Sequence, residues 1–200
     1  MNKIVFLCSH EHSGSNHLYQ AMNENPRIQG FRHLSLMYKN LNELLILNDQ
    51  THKLKTRAAI YMDELLYNWQ FTDKSALKVC KFVYLIRKPQ PVLNSFVKYN
   101  KLAPEFAARH YLFRLRRICE MAKRTPKAVL LTFDDLSRGE GLNLIENYLE
   151  LKNPINLDFK LFDSHEEENN FPISLLNTVE NCYERYLFFL KNQNIFYNNK

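Results

Sequence analysis

The chain has 200 residues, 46% of them hydrophobic, and neither repeats nor linker-like tracts divide it, so we expect one domain over residues 1–200. Its formal net charge of +6 suits an anionic ligand, but the charges are mixed along the chain and do not require nucleic acid. The four cysteines form no CxxC pair and no apolar run approaches the roughly 18 residues of a membrane span, which predicts a cytoplasmic protein without disulfides, a metal site or membrane contact.

The first predicted elements are a strand, a loop and a helix. Residues 3–8 (KIVFLC) form a short apolar run rich in β-formers, which is typical of a strand buried on both faces of a parallel sheet. A polar loop follows over residues 9–14. Residues 15–25 then show helical periodicity, which Pro26 ends.

The next segment is predicted to hold two strands and two helices. We expect a short strand over residues 27–31, and apolar spacing predicts helices over residues 34–47 and 58–69. A second strongly apolar strand is predicted over residues 78–86 (KVCKFVYLI), and it runs directly into Arg87.

The rest of the chain alternates helices with one further strand. Pro89 and Pro91 are expected to begin a helix, because proline lacks only an N–H that the first turn leaves unbonded. The remaining predictions are a long helix over residues 104–124, a buried strand over 128–133, and helices over 142–151 and 175–190. Strands that alternate with helices favour an α/β fold in three layers, with a mainly parallel central sheet flanked by helices.

The loop after the first predicted strand has the composition of an anion site. Backbone N–H groups at a helix N-terminus are unbonded and favour negative charge, so a phosphate can bind there. Gly14 would let the backbone approach such a ligand closely. The neighbouring side chains that add hydrogen-bond donors are Ser13, Ser15, Asn16 and His17. The alternative is that these residues form only an N-capping turn.

A second candidate anion site follows the second strong strand. Ligands of open parallel sheets collect outside the carboxyl ends of the strands, where Arg87 is expected. Its guanidinium group suits a phosphate, and Ser95 could share a face with the helix start and direct its hydroxyl to the same anion. The alternative is a solvated arginine and a serine bonded to its own helix backbone.

In their order and placement these segments resemble the PAPS-dependent sulfotransferases, and most closely their bacterial and carbohydrate branches. Those enzymes hold the 5′-phosphosulfate on a first-strand loop of the type K/R-S-G-S/T-S/T, and the 3′-phosphate on a strand-end Arg and a Ser eight positions later. SGSN at residues 13–16 is similar to the loop, Arg87 and Ser95 to the second motif, and TFDDL at 132–136 to a further strand end of the family.

The resemblance spans residues 3–151 and implies a P-loop-like three-layer sandwich. It also implies a sulfotransferase that moves the sulfuryl group of PAPS to a hydroxyl or amine of a small-molecule or carbohydrate acceptor, with PAP as product and no metal. Asp134 and Asp135 are interpreted as strand-end caps rather than as an acid/base pair.

The sequence departs from the family at the basic residue that contacts the transferring group, which corresponds to His12. Histidine can donate a hydrogen bond and carry charge, so the role can survive with another pH dependence. The first candidate for the general base is His33, because it follows the presumed second strand, where the carbohydrate branch places a catalytic Glu. The other candidates are His17, His10 and His110.

Three other functions remain open at this stage. The loss of a basic residue at His12 is compatible with a nucleotide-binding module that catalyses nothing. An ordinary ATPase or kinase is disfavoured, because no Lys follows Gly14 and the Walker pattern is absent, but a divergent P-loop kinase remains an alternative. A nucleic-acid binder would use a basic face of the long helix, which comprises Arg114, Arg116, Arg117, Lys123 and Arg124; the sequence places Arg114 away from the apolar stripe.

Overall fold

The computed structural model describes residues 3–31, 60–64, 76–125, 127–158, 171–193 and 195–196. Within these ranges the strands are β1 (Lys3–Ser9), β2 (Ile28–Phe31), β3 (Ile60–Glu64), β4 (Lys81–Ile86), β5 (Ala128–Thr132) and β6 (Ile195–Phe196). The helices are α1 (Ser15–Glu24), α2 (Ala76–Val79), α3 (Pro89–Asn100), α4 (Pro104–Ala122), α5 (Phe133–Ser137), α6 (Leu142–Leu149) and α7 (Ile173–Lys191).

The strands form one sheet in the order β2-β3-β1-β4-β5-β6, and every neighbouring pair is parallel. From β1 the chain moves to β2 and β3 on one side of the sheet, and it then crosses to β4 and β5 on the other. The connections therefore diverge between β1 and β4, where Ser9 lies opposite Leu85. Such a divergence leaves a crevice outside the carboxyl ends of the two strands.

Helices cover both faces of the sheet, which confirms the predicted three-layer α/β fold. Side chains alternate along β1, so that Phe6 and Cys8 pack in the core under α3, α4 and α7, whereas Val5 and Leu7 pack against α1 and α6. Because both faces are buried, the strand reads as a continuous apolar run.

Most predicted elements are found within two or three residues of their expected ends, but three predictions need correction. The helix predicted over residues 58–69 is wrong where it is described, because residues 60–64 form β3, which pairs with both β1 and β2. The strand predicted over residues 78–86 begins only at Lys81, since residues 76–79 form the short helix α2. The predicted helix over residues 34–47 lies outside the described residues.

The third correction concerns Arg114, which the sequence placed on the solvated side of the long helix. Its side chain is only 1% exposed. Its Nη2 donates to the Ser9 carbonyl oxygen at 2.9 Å, and its Nε lies 3.5 Å from the Glu11 carboxylate. A charge can be buried when it is paired and hydrogen-bonded in this way. Among the described helices, none has the length and apolarity needed to cross a membrane.

Candidate functional site

The loop between β1 and α1 ends in a glycine that begins the helix. Gly14 is the N-cap of α1 and has φ 86°, a left-handed conformation that glycine adopts without strain. Glycine has no side-chain acceptor that could cap the helix, and the first turn contains no acidic residue. The first N–H groups of α1 therefore lack a side-chain cap, and the helix dipole favours an anion in front of them.

Ser13 brings a buried hydroxyl group to this loop. Its side chain is fully buried, and its Oγ makes no hydrogen bond within the described part of the chain. Buried hydroxyl groups are nearly always paired, because an unmade hydrogen bond costs free energy. Ser15 and Asn16 follow in the first turn of α1, half-buried and exposed respectively.

Arg87 lies beside this loop, as expected from the two strand ends. Its Nη1 donates to the His12 carbonyl oxygen at 3.1 Å, and its guanidinium carbon lies 3.8 Å from the centre of the Phe133 ring. The guanidinium plane is thus held by an aromatic face and by the loop backbone. The two predicted anion-binding segments therefore adjoin each other at the crevice between β1 and β4.

His10 joins the same two segments, which sequence reasoning did not foresee. Its Nε2 accepts from the backbone N–H of Arg87 at 3.0 Å, so its Nδ1 carries the proton and donates to the Glu11 carbonyl oxygen at 2.9 Å. Burial lowers the pKa of His10 to about 4, against a smaller opposing effect of the hydrogen bond to Glu11. The ring is therefore neutral near pH 7, and both of its nitrogens are engaged in the loop.

The side chain of His12 points to helix α3. Its Nε2 donates to Asn100 Oδ1 at 2.9 Å, and its ring meets Phe96 edge to face with 5.0 Å between ring centres. The backbone of His12 has φ 58°, which is uncommon outside glycine. In this conformation the residue contributes its carbonyl oxygen to Arg87 and its imidazole to α3.

A charged cluster supports the loop from helix α4. Glu11 Oε2 accepts from His110 Nε2 at 3.2 Å and lies close to the buried guanidinium of Arg114. Burial by itself raises the pKa of Glu11, but the hydrogen bond from His110 and the charge of Arg114 outweigh it and hold that pKa at about 2. His110 is thus paired with a carboxylate that stays ionised well below neutral pH.

The remaining predicted site residues make other contacts or lie outside the described residues. Ser95 Oγ donates to the Pro91 carbonyl oxygen at 2.8 Å, which is the intrahelical bond considered as the alternative. His17, in the first turns of α1, lines an open groove of about 520 Å³ together with residues 155–158. His33 is outside the described residues.

Two carboxylates were missed by sequence reasoning, because their segment was assigned to a helix. Asp63 and Glu64 end strand β3 next to β1 and are only 4% and 5% exposed. An acidic pair directly after the apolar run Ile60–Met62 was the available signal. By contrast, Asp135 forms a capping box with Thr132, as its interpretation as a strand-end cap predicts. Asp134 instead forms an ion pair with Lys88 at 2.7 Å.

No protein-family model and no curated protein sequence matches this chain. Among solved structures, the chain is similar to mouse sulfotransferase SULT7A1 complexed with PAP, with a TM-score of 0.58 and 12% sequence identity. The similarity covers 93% of this chain and 85% of the mouse protein. At such low identity the likeness concerns architecture alone, and it shows that this chain has the α/β fold of a sulfotransferase.

Proposed function

We propose that this protein is a sulfotransferase that binds PAPS at the crevice between β1 and β4 and transfers its sulfuryl group to a hydroxyl or amine. One observation carries the proposal: the guanidinium of Arg87 donates to the loop carbonyl of His12 at 3.1 Å. Two anion-binding segments this close can contact one doubly phosphorylated nucleotide. The likeness of the fold to a sulfotransferase complexed with PAP supports the choice of nucleotide.

The 5′ side of the nucleotide belongs at the start of α1. The N–H groups after Gly14 would bind its anion at the positive end of the helix dipole. The buried hydroxyl of Ser13 would donate to the same anion, and Ser15, Asn16 and His17 stand in the first turn beside it. This arrangement would stabilise the negative charge that develops on the 5′-phosphate as it leaves.

The 3′ side belongs at Arg87, whose guanidinium is held in place by Phe133. A planar guanidinium offers parallel donors to a phosphate, which suits the 3′-phosphate that distinguishes PAPS from ATP. Ser95 would join this site after its hydroxyl leaves the carbonyl of Pro91.

In the transfer itself, the acceptor oxygen or nitrogen forms a bond to sulfur while the bond from sulfur to the 5′-phosphate oxygen breaks. PAP leaves with the bonding electrons, and the acceptor proton passes to a base. His33 remains the first candidate for that base. Within the described residues, Asp63 and Glu64 offer carboxylates at the end of the strand next to β1.

A second function, nucleotide binding without transfer, is favoured by the orientation of His12. Its imidazole is engaged with Asn100 on α3, although the corresponding residue of the family contacts the transferring group. The kinase alternative has no comparable support. For nucleic-acid binding, the buried Arg114 is unsuitable, and Arg116 and Arg117 both donate to Glu120.

Calorimetry with PAP and ATP, followed by an assay of label transfer from radiosulfate PAPS to a panel of acceptors, tests the proposal. We expect PAP to bind more tightly than ATP, and Arg87→Ala to abolish this preference. Arg109→Ala, which removes an exposed arginine on α4, is the matched control and should bind PAP as the wild type does. Tighter binding of ATP would contradict the proposal, and PAP binding without label transfer would support the non-catalytic alternative.

A further inference from the structure

Two buried side chains hold the backbone of Arg87 from both sides. The N–H of Arg87 donates to His10 Nε2 at 3.0 Å, and its carbonyl oxygen accepts from the Tyr111 hydroxyl at 2.6 Å. His10 and Tyr111 are 1% and 0% exposed, and their rings meet edge to face with 5.1 Å between centres. The peptide groups on both sides of Arg87 are therefore fixed by one pair of touching rings.

The same pair connects Arg87 to the loop that begins α1. His10 belongs to this loop, and its Nδ1 donates to the carbonyl oxygen of Glu11. Tyr111 projects from α4, and one turn later on that helix Arg114 donates to the carbonyl oxygen of Ser9 at 2.9 Å. Helix α4 thus bonds to the ends of both β1 and β4, while His10 bonds directly across them.

We infer that His10 and Tyr111 are positioning residues that fix the distance between the loop at Gly14 and Arg87, so that one nucleotide can contact both. The inference rests on the proposed function, since it concerns binding of PAP at this crevice. A ligand that contacts two sites gains affinity when their separation is already correct. A ligand that contacts only one of the two sites gains no affinity from their correct separation.

The dissociation constants of PAP, adenosine 5′-phosphate and adenosine 3′-phosphate, measured for the wild type and for Tyr111→Phe, test the inference. Each mononucleotide occupies one of the two segments, whereas PAP occupies both. We expect Tyr111→Phe to raise the dissociation constant of PAP by a factor larger than the product of the two factors by which it raises those of the mononucleotides. The excess should be roughly 3- to 10-fold, as for the loss of one buried hydrogen bond.

The matched control is Tyr84→Phe. Tyr84 is also fully buried, and its hydroxyl contacts Thr125 Oγ1 at 3.2 Å. The control removes the same atom from the core without touching Arg87, so its excess factor should be close to one. If Tyr111→Phe fails to fold, His10→Gln is measured by the same criterion.

The outcomes separate this inference from the function on which it rests. A wild type that does not bind PAP overturns both. The positioning role alone is overturned if the wild type binds PAP but Tyr111→Phe loses no more PAP affinity than the product of its losses for the two mononucleotides. The same excess in Tyr84→Phe also overturns it, since the effect would then follow from general loosening of the core.

Discussion

Replacing Ser13 by alanine should have opposite effects on stability and on binding. The hydroxyl of Ser13 is fully buried and makes no hydrogen bond within the described residues, so the ligand-free protein has lost the hydration of this group without compensation. An unsatisfied buried polar group costs about 1–3 kcal/mol. Removing it should therefore leave the free energy of unfolding unchanged or raise it by up to that amount.

In the complex the same hydroxyl is expected to donate to the 5′ anion. A hydrogen bond to a charged group contributes about 1.5–3 kcal/mol, so Ser13→Ala should weaken PAP binding roughly 10- to 150-fold. For a chain of this length, about 1 kcal/mol shifts the melting temperature by roughly 2–4 °C. We thus expect a ligand-free melting temperature equal to or a few degrees above that of the wild type, and a smaller increase on adding PAP.

Thermal unfolding with and without PAP measures both effects in one series. Ser137→Ala is the control, because the Ser137 hydroxyl donates to the Asp134 carbonyl oxygen at 3.0 Å and its loss should lower stability slightly. If Ser13→Ala unfolds more readily than the wild type without ligand, the hydroxyl has a partner in the free protein. If it binds PAP as tightly as the wild type, Ser13 does not contact the anion. Either result refutes the reasoning.

Two further predictions concern the packing around the loop between β1 and α1, and a third concerns Gly141 at the start of α6. The pKa of Glu11 is lowered from 4.5 to about 2, so its ionised form stabilises the folded state above pH 4.5, and this contribution is lost as the pH falls towards 2. In urea unfolding, the wild type should be more stable than Glu11→Gln above pH 4.5, and this difference should disappear as the pH falls towards 2. A difference that stays constant would contradict the pairing of Glu11. Arg114→Met should lower the free energy of unfolding by about 1–3 kcal/mol in the same assay, since it leaves the buried Ser9 carbonyl oxygen without its charged donor, whereas an unchanged stability would contradict it. Gly141→Ala should lower the free energy of unfolding by at least about 1 kcal/mol, because Gly141 has φ +86° and an added Cβ would lie 2.6 Å from Leu131 Cδ2. An unchanged melting temperature in thermal unfolding would contradict this, since it would show that the backbone adapts.

The sequence alone predicted strands β1, β2, β4 and β5 and most of the helices between them, but neither β3 nor β6. The runs at residues 4–8, 82–86 and 128–131 are apolar at every position. Such runs are typical of strands that are covered on both faces, because side chains of a strand point alternately to the two faces. The proximity of the loop at Gly14 to Arg87 could also be predicted, since the carboxyl ends of parallel strands meet at one edge. These features depend on residues that are close together in the sequence, so a short segment is enough to show each pattern.

Only the tertiary structure decided how the site is assembled. Residues 60–64 became a strand because pairing with β1 and β2 outweighed their helical spacing. The guanidinium of Arg114 was buried because Ser9 and Glu11, about a hundred positions earlier, satisfy it. The tautomer of His10 depends on a backbone N–H supplied by Arg87. Each of these outcomes depends on a partner that is remote in sequence, so no window of residues contains the information, and the fold brings the partners together.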